Sequence, residues 1–276
     1  MTVGPGVRLG AHTFGLAWEA DAAEAIARLA DEGFTRFQLM AIPPHLDVRT
    51  ADATTLTRIR DAVASVDGEI LSIDLPSTDV NAGSTTREVV ALTVELYVAA
   101  IELAAAIGSR WVTLLAGRRH ALLPPPDDRL LAIVTDAFDR LVPVAERLGV
   151  RLLLENHPQS LTPTAAGVAS LLTAQGYPLV DALYDVANGA AVGEDPASGL
   201  ATLAPHLGLV HLSDAPEGEW RHDRVGSGDV DFDAVRAQLE TSGFEGPAVV
   251  EVISANAVAD LVSSRRFLED RSWSLA

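Results

Sequence analysis

One pattern limits this chain more than any other. Short runs rich in Val, Leu and Ile alternate, from end to end, with longer stretches of helical spacing. "VRLGAHTFG" (7–15) reads as a strand and "DAAEAIARLADEG" (21–33) as the helix after it, with Asp21 as N-cap and Gly33 as the stop. "TRFQLMA" (35–41) precedes a helix over 54–68, and "EILSIDLP" (69–76) a long helix over 85–107. "RWVTLLAG" (110–117) precedes a helix over 127–148, and "VRLLLENH" (150–157) one over 164–176. "LVDALYDV" (179–186) precedes a short helix near 197–205, "LGLVHLSDA" (207–215) a helix over 231–243, and "PAVVEVIS" (247–254) a last helix over 257–271.

Eight strand–helix units, with strands apolar on both faces, predict an α/β fold in which helices cover a parallel sheet. Eight units in 276 residues predict a (β/α)8 TIM barrel, as a single domain over 1–276. A doubly wound open sheet is the alternative, but the first junction "GAHTFGLAW" carries no G-x-G-x-x-G fingerprint.

Composition removes several functions. With no cysteine, there is no disulfide, zinc–thiolate site or cysteine nucleophile. A net charge of −18 repels phosphate backbones and anionic lipid, which argues against nucleic-acid and membrane partners. "MTVGPGVRLG" lacks the basic and apolar regions of a signal peptide, and no apolar run reaches about 18 residues, so the expected location is cytoplasmic.

In a barrel the chemistry sits at the C-terminal ends of the strands. Strand one ends near His12 and Thr13, and strand three carries Asp74. Arg118, Arg119 and His120 follow strand four. Strands five to eight then repeat one arrangement, an apolar run closed by Glu155, Asp185, His211 and Glu251 in turn. One such residue alone reads as a helix cap or ion-pair partner. Four on neighbouring strands, about 4.8 Å apart, converge on one point. Three carboxylates there repel one another unless a cation joins them. Three oxygens and one imidazole suit one divalent ion, Mn²⁺ foremost, with Mg²⁺, Co²⁺ and Zn²⁺ as alternatives.

Other residues are placed from the same frame. His157 follows Glu155 by two, so the pleat turns it to the same side, against the substrate or a ligand. Asn156 should point outward and fix the loop before Pro158. His12 and His120 are candidates for the pocket rim, and Trp18 for stacking on a ligand face or for the core. "VGSGDVDF" (225–232) resembles a phosphate loop but is flanked by Asp229 and Asp231, so it reads as a tight turn with Asp231 capping the next helix. "LLPPPDD" (122–128) reads as a rigid loop opening a helix.

"LLLENH", "LYDVANGAAVGEDP", "LVHLSDA", "VGSGDVDF" and "VVEV" together resemble the sugar phosphate isomerase/epimerase superfamily, barrels of xylose isomerase type that include ketose 3-epimerases and inosose isomerases and dehydratases. The resemblance covers essentially the whole chain. It implies Glu155, Asp185, His211 and Glu251 as metal ligands, and the two glutamates as an acid/base pair acting on a keto-sugar or related polyol ketone through an enediolate. It also implies a homodimer or tetramer. Two positions depart from the ketose 3-epimerase pattern: Asn188 stands where a sugar-contacting His is usual, and Glu217 where an Arg is usual, leaving Arg221 and Arg224 as nearest substitutes. Asn188 and Arg224 therefore join His157, His12 and His120 as the expected substrate-binding set. The function expected is a metal-dependent isomerase or epimerase. A lyase or dehydratase on the same scaffold is the alternative, and an endonuclease IV-like hydrolase is opposed by the charge.

Overall fold

The computed structural model describes residues 8–273. Val7, the first residue of the expected opening strand, and the segment before it lie outside them. The strands are β1 (Arg8–His12), β2 (Arg36–Met40), β3 (Glu69–Asp74), β4 (Trp111–Leu115), β5 (Arg151–Glu155), β6 (Val180–Asp185), β7 (Leu207–Leu212) and β8 (Pro247–Val250). They pair in chain order, all parallel, and β8 closes on β1. The helices are α1 (Ala22–Asp31), α2 (Ala53–Ala64), α3 (Arg87–Ile107), α4 (Asp127–Leu148), α5 (Ala165–Gln175), α6 (Val186–Ala191), α7 (Pro196–Leu203), α8 (Phe232–Thr241) and α9 (Ala257–Glu269). This is a TIM barrel.

Local chemistry explains the element ends. Asp21 caps α1 by accepting the Glu24 N–H, and Asp231 caps α8 by accepting that of Ala234. Helices α3, α4 and α5 stop on Gly108, Gly149 and Gly176, each in the left-handed conformation that glycine adopts without steric cost. Several expected strands run too long. β1 stops at His12, and Phe14–Leu16 turns as a 3-10 helix; β8 stops at Val250. Beyond the rim a strand loses its ladder partners, so apolar sequence continues into loop.

The sequence also hid α6. Its "VANGAA" has no apolar period, and the turn is set instead by Asp185, whose Oδ1 accepts the Asn188 N–H at 2.6 Å. One expectation about membranes also needs correction: α3, at 21 residues, is long and apolar enough to cross one. In this fold its Val90, Val94, Tyr97, Ile101 and Ala104 are buried in the main core.

That core lies between the barrel and its helices. A second, smaller cluster fills the barrel's interior: Leu71, Trp111, Leu153, Leu183, Leu209 and Val249. This plug fixes which side chains above it face inward.

Candidate active site and metal centre

Side chains on a strand alternate between faces. Leu153, Leu183, Leu209 and Val249 face inward in the plug, so the residues two further on face inward one layer higher. Those are Glu155, Asp185, His211 and Glu251. Asp185 and His211 are direct partners across β6 and β7, and the Glu251 N–H extends the β7–β8 ladder by donating to Leu212 O at 3.0 Å. One ligand-capable atom from each of the four lies within 4.8 Å of the others.

The donor set fits a divalent cation. Asp185 Oδ2 and His211 Nδ1 are buried and have no hydrogen-bond partner. His211 Nδ1 approaches Glu251 Oε2 to 3.0 Å, Asp185 Oδ2 to 3.6 Å and Glu155 Oε1 to 3.7 Å, without hydrogen-bond geometry to any of them. Polar atoms aimed at a common point rather than at each other are what a hard or borderline ion requires. His12, Asp74 and His211 also cluster, but there the valences are used: His12 Nδ1 accepts the Phe14 N–H at 3.0 Å and His12 Nε2 meets Asp74 Oδ2 at 3.0 Å.

Electrostatics divides the carboxylates. Burial, reinforced by Glu251 and Asp185, pushes the Glu155 carboxyl up to about 7. Burial acts on Glu251 in the same sense, but His211, His222 and His12 outweigh it and hold Glu251 well below the usual carboxylate range. His211, against the opposing effect of burial, is raised by Glu251, Asp185 and Glu155. An incoming cation would displace that proton, so metal affinity should rise with pH.

Above this layer is a cavity of about 200 Å³, walled by Glu155, Glu251, His157, Asn188, Asp74 and a mostly apolar set that includes Phe14, Met40, Leu115 and Ile253. Pockets for drug-sized ligands run to about 300–1,000 Å³, so this one suits a smaller molecule.

The sequence of residues 26–271 matches the xylose isomerase-like TIM barrel family. The chain belongs to that family. Among curated relatives, the L-ribulose-5-phosphate 3-epimerase UlaE of Salmonella paratyphi C is 28% identical over 195 residues, 68% of this chain and 67% of that one. The L-ribulose 3-epimerase of Mesorhizobium japonicum is 25% identical over 276 residues, 96% of this chain and 88% of that one. Among solved structures, a D-tagatose 3-epimerase-like protein superposes with a TM-score of 0.85 at 20% identity, covering 96% of this chain and 97% of that chain, a likeness of fold.

Within this xylose isomerase-like barrel, the expected substrate residues scatter. His157 does line the cavity; burial, with Arg118 nearby, pushes its imidazole down to about 4, and its Nδ1 accepts the Gln159 N–H. Asn188 lines it too, but its donors are spent on Glu155 Oε1 and Asn156 O, both at 3.1 Å. His12 is fully buried beneath, not on the rim. His120 is exposed in a neighbouring groove, where its Nδ1 accepts the N–H groups of Leu122 and Leu123. Arg224 does not line the cavity, and Arg221 pairs with Asp223 and Glu219 on the surface. Trp18 is 73% exposed and neither stacks in the cavity nor packs in the core. Asn156, expected to point outward, does turn from the barrel axis but is fully buried against β6, where it bonds the Asp185 backbone.

Among the cavity residues that the strand-end reading does not reach are Trp220 and His222. Both sit on the long β7–α8 loop, which an antiparallel bridge between Asp214 and Asp223 folds back over the barrel. His222 Nδ1 lies 3.0 Å from Ser213 Oγ and 3.5 Å from Glu251 Oε2. Trp220 Nε1 donates to Asn188 Oδ1 at 2.8 Å, and its ring meets that of His157 edge-on, with centroids 4.9 Å apart. The glycine-rich "VGSGDVDF" holds an anion of its own: Gly226 and Val230 donate their N–H groups to the Asp214 carboxylate at 2.8 and 3.1 Å.

Proposed function

We propose that the protein is a divalent-metal-dependent epimerase of a small, uncharged ketose, in which Glu155 and Glu251 move the proton on the carbon beside the carbonyl. The observation that carries this reading is the pair itself. Two carboxylates on strands three apart both reach the cavity, and both lie within 4.8 Å of Asp185 and His211. The relatives are, by name, 3-epimerases of L-ribulose and of its 5-phosphate, and the reaction type is taken from them.

Glu155, Asp185, His211 and Glu251 would hold the ion, Mn²⁺ foremost, which when bound offers electrostatic stabilisation of negative charge developing on the substrate's oxygens. The remaining work belongs to the side chains. One glutamate takes the proton from the carbon next to the carbonyl; the other delivers a proton to the opposite face, and the centre is inverted. Asn188 fixes Glu155 by donating to its Oε1.

An uncharged substrate is supported by what the walls contain. No arginine lines the cavity among the described residues, and the chain has no lysine. The backbone amides that resemble a phosphate loop are taken by Asp214. The absence of lysine also removes a lysine-imine route to carbonyl activation.

The test supplies Mn²⁺ and a panel of ketopentoses and ketohexoses in D₂O, alongside a ketopentose 5-phosphate. Deuterium should enter at the carbon beside the carbonyl as the epimer forms, with the free sugars preferred over the phosphate. Glu155→Gln and Glu251→Gln should each lower kcat by about 10²–10⁴-fold. Full turnover in both variants would sink the assignment. An absorbing enone with loss of water would point to the dehydratase chemistry instead.

A further inference from the structure

Strands β1 to β4 place their own polar residues at the level of the metal-competent four: His12, Gln38, Asp74 and Thr113, buried and hydrogen-bonded to one another. His12 packs edge-on against the His211 ring, with centroids 5.7 Å apart, and the hydrogen bond that joins the two sets runs between Gln38 Oε1 and His211 Nε2, at 2.9 Å.

The direction of every hydrogen bond along this chain can be worked out from its far end. The Phe14 backbone N–H can only donate, so His12 Nδ1 must accept. The His12 proton therefore sits on Nε2 and is donated to Asp74 Oδ2. A carboxylate can only accept, so the amide group of Gln38 that faces Asp74, at 2.8 Å from both oxygens, is its NH₂. Ser72 Oγ, at 3.1 Å, donates to Asp74 as well. The Gln38 carbonyl is thereby turned to His211, and a carbonyl only accepts. His211 must keep a proton on Nε2, and the lone pair it can offer is on Nδ1, the atom that faces Glu155, Asp185 and Glu251.

We infer that His12, Asp74 and Gln38 form a positioning relay that locks His211 with its proton on Nε2 and its ligand lone pair on Nδ1. Without the relay the nearby carboxylates would favour the opposite tautomer, since a proton on Nδ1 could turn to Glu251 Oε2, 3.0 Å away. The relay thus preserves the ligand against its own neighbours. Partners that fix a metal-binding imidazole through its other nitrogen commonly govern affinity. Asp74 has the charge this requires: burial opposes it, but His12 and His211 hold its carboxyl below the usual range.

The inference rests on the metal-site reading, and the experiment separates the two. The probe is Zn²⁺ alone, titrated into the full chain labelled with ¹⁵N at histidine. If wild-type protein does not bind Zn²⁺ through His211, the metal-site reading fails and the relay with it. If it binds, two-bond ¹H–¹⁵N correlation should show His211 ligated through Nδ1, with a slowly exchanging proton on Nε2. Gln38→Leu should then raise the Zn²⁺ Kd about 10–100-fold and lose that slow proton. Gln38→Glu, which keeps an acceptor toward His211 and can share one proton with Asp74, should stay within about five-fold of wild type, since the lock is retained. Asp74→Asn should weaken Zn²⁺ binding in the same sense, and the Gln38→Leu/Asp74→Asn double variant should be no weaker than Gln38→Leu, as members of one chain are not additive. The relay is overturned if metal-free Gln38→Leu keeps its Tm and binds Zn²⁺ as wild type does. It is also overturned if Gln38→Glu loses as much affinity as Gln38→Leu, or if the two single effects add in full.

Discussion

Asn156 joins two strands that have run out of ladder. The β5–β6 register ends at Glu155 opposite Leu183, and beyond it the Asn156 side chain takes the place of a strand. Its Oδ1 accepts the Asp185 N–H at 2.7 Å, and its Nδ2 donates to Asp185 O at 3.0 Å. Asn156→Ala removes both partners from a site with no exposure to solvent. A buried backbone group left without a partner costs about 1–3 kcal/mol, so the two together predict a loss of about 2–6 kcal/mol. For a chain of this size that corresponds to a Tm lower by roughly 3–10 °C. Calorimetry and guanidinium unfolding of the metal-free protein measure it directly, without any contribution from bound cation. The same variant should weaken divalent-metal binding, because Asp185 loses what holds its backbone in register. A loss of less than about 1 kcal/mol would refute the claim that this side chain acts as a surrogate strand.

Two further outcomes follow from the same geometry. Trp220→Phe keeps the ring against His157 but leaves Asn188 Oδ1 without its donor; kcat on a ketose should fall by about 2–12-fold, the worth of one neutral hydrogen bond, and an unchanged kcat would show that the bond does not steady Glu155. Burial holds His45 below its ordinary range, and its ring is satisfied as the neutral form, with Nδ1 donating to Ala20 O and Nε2 accepting from Thr13 Oγ1. The unfolded chain takes that proton first, so this contribution to stability is complete above about pH 6.5 and is lost as pH falls below it. His45→Gln should therefore flatten the fall in unfolding midpoint between about pH 7 and pH 5, and a slope equal to that of wild type would reject the assignment.

The fold was legible because each strand carried its own punctuation. Apolar runs such as "LLLE" and "ALYD" ended in one polar residue, and glycines such as Gly108 and Gly149 closed the helices, so short-range signals sufficed to count eight units. The four cluster residues were legible for a related reason: once the barrel was assumed, period-two alternation left little freedom in where Glu155 or His211 could point. Asn156 was misread by the same rule. Alternation does turn it away from the barrel axis, but its neighbour on that side is β6, not solvent.

The residues that sequence reading missed depend on contacts between distant segments. His222 reaches the cavity only because Asp214 and Asp223 exchange backbone hydrogen bonds at 3.0 and 2.8 Å, and because Gly228 packs where an added Cβ would lie 2.4 Å from Ala215 O. Nothing local in "EWRHDR" distinguishes His222 from the arginines beside it. Gln38 is hidden differently: its position is regular, but its role comes from partners 36 and 173 residues away. These two kinds of dependence separate the site's functions. The strands of a closed barrel cannot shift independently, so the carboxylates, His211 and its relay are set by the scaffold. The upper wall, with Trp220 and His222, hangs on one loop held by Asp214. Under the proposed function, changes in that loop would alter which substrate fits while leaving the residues below it in place. Glu217, on that same loop, can therefore differ without displacing the four residues beneath it.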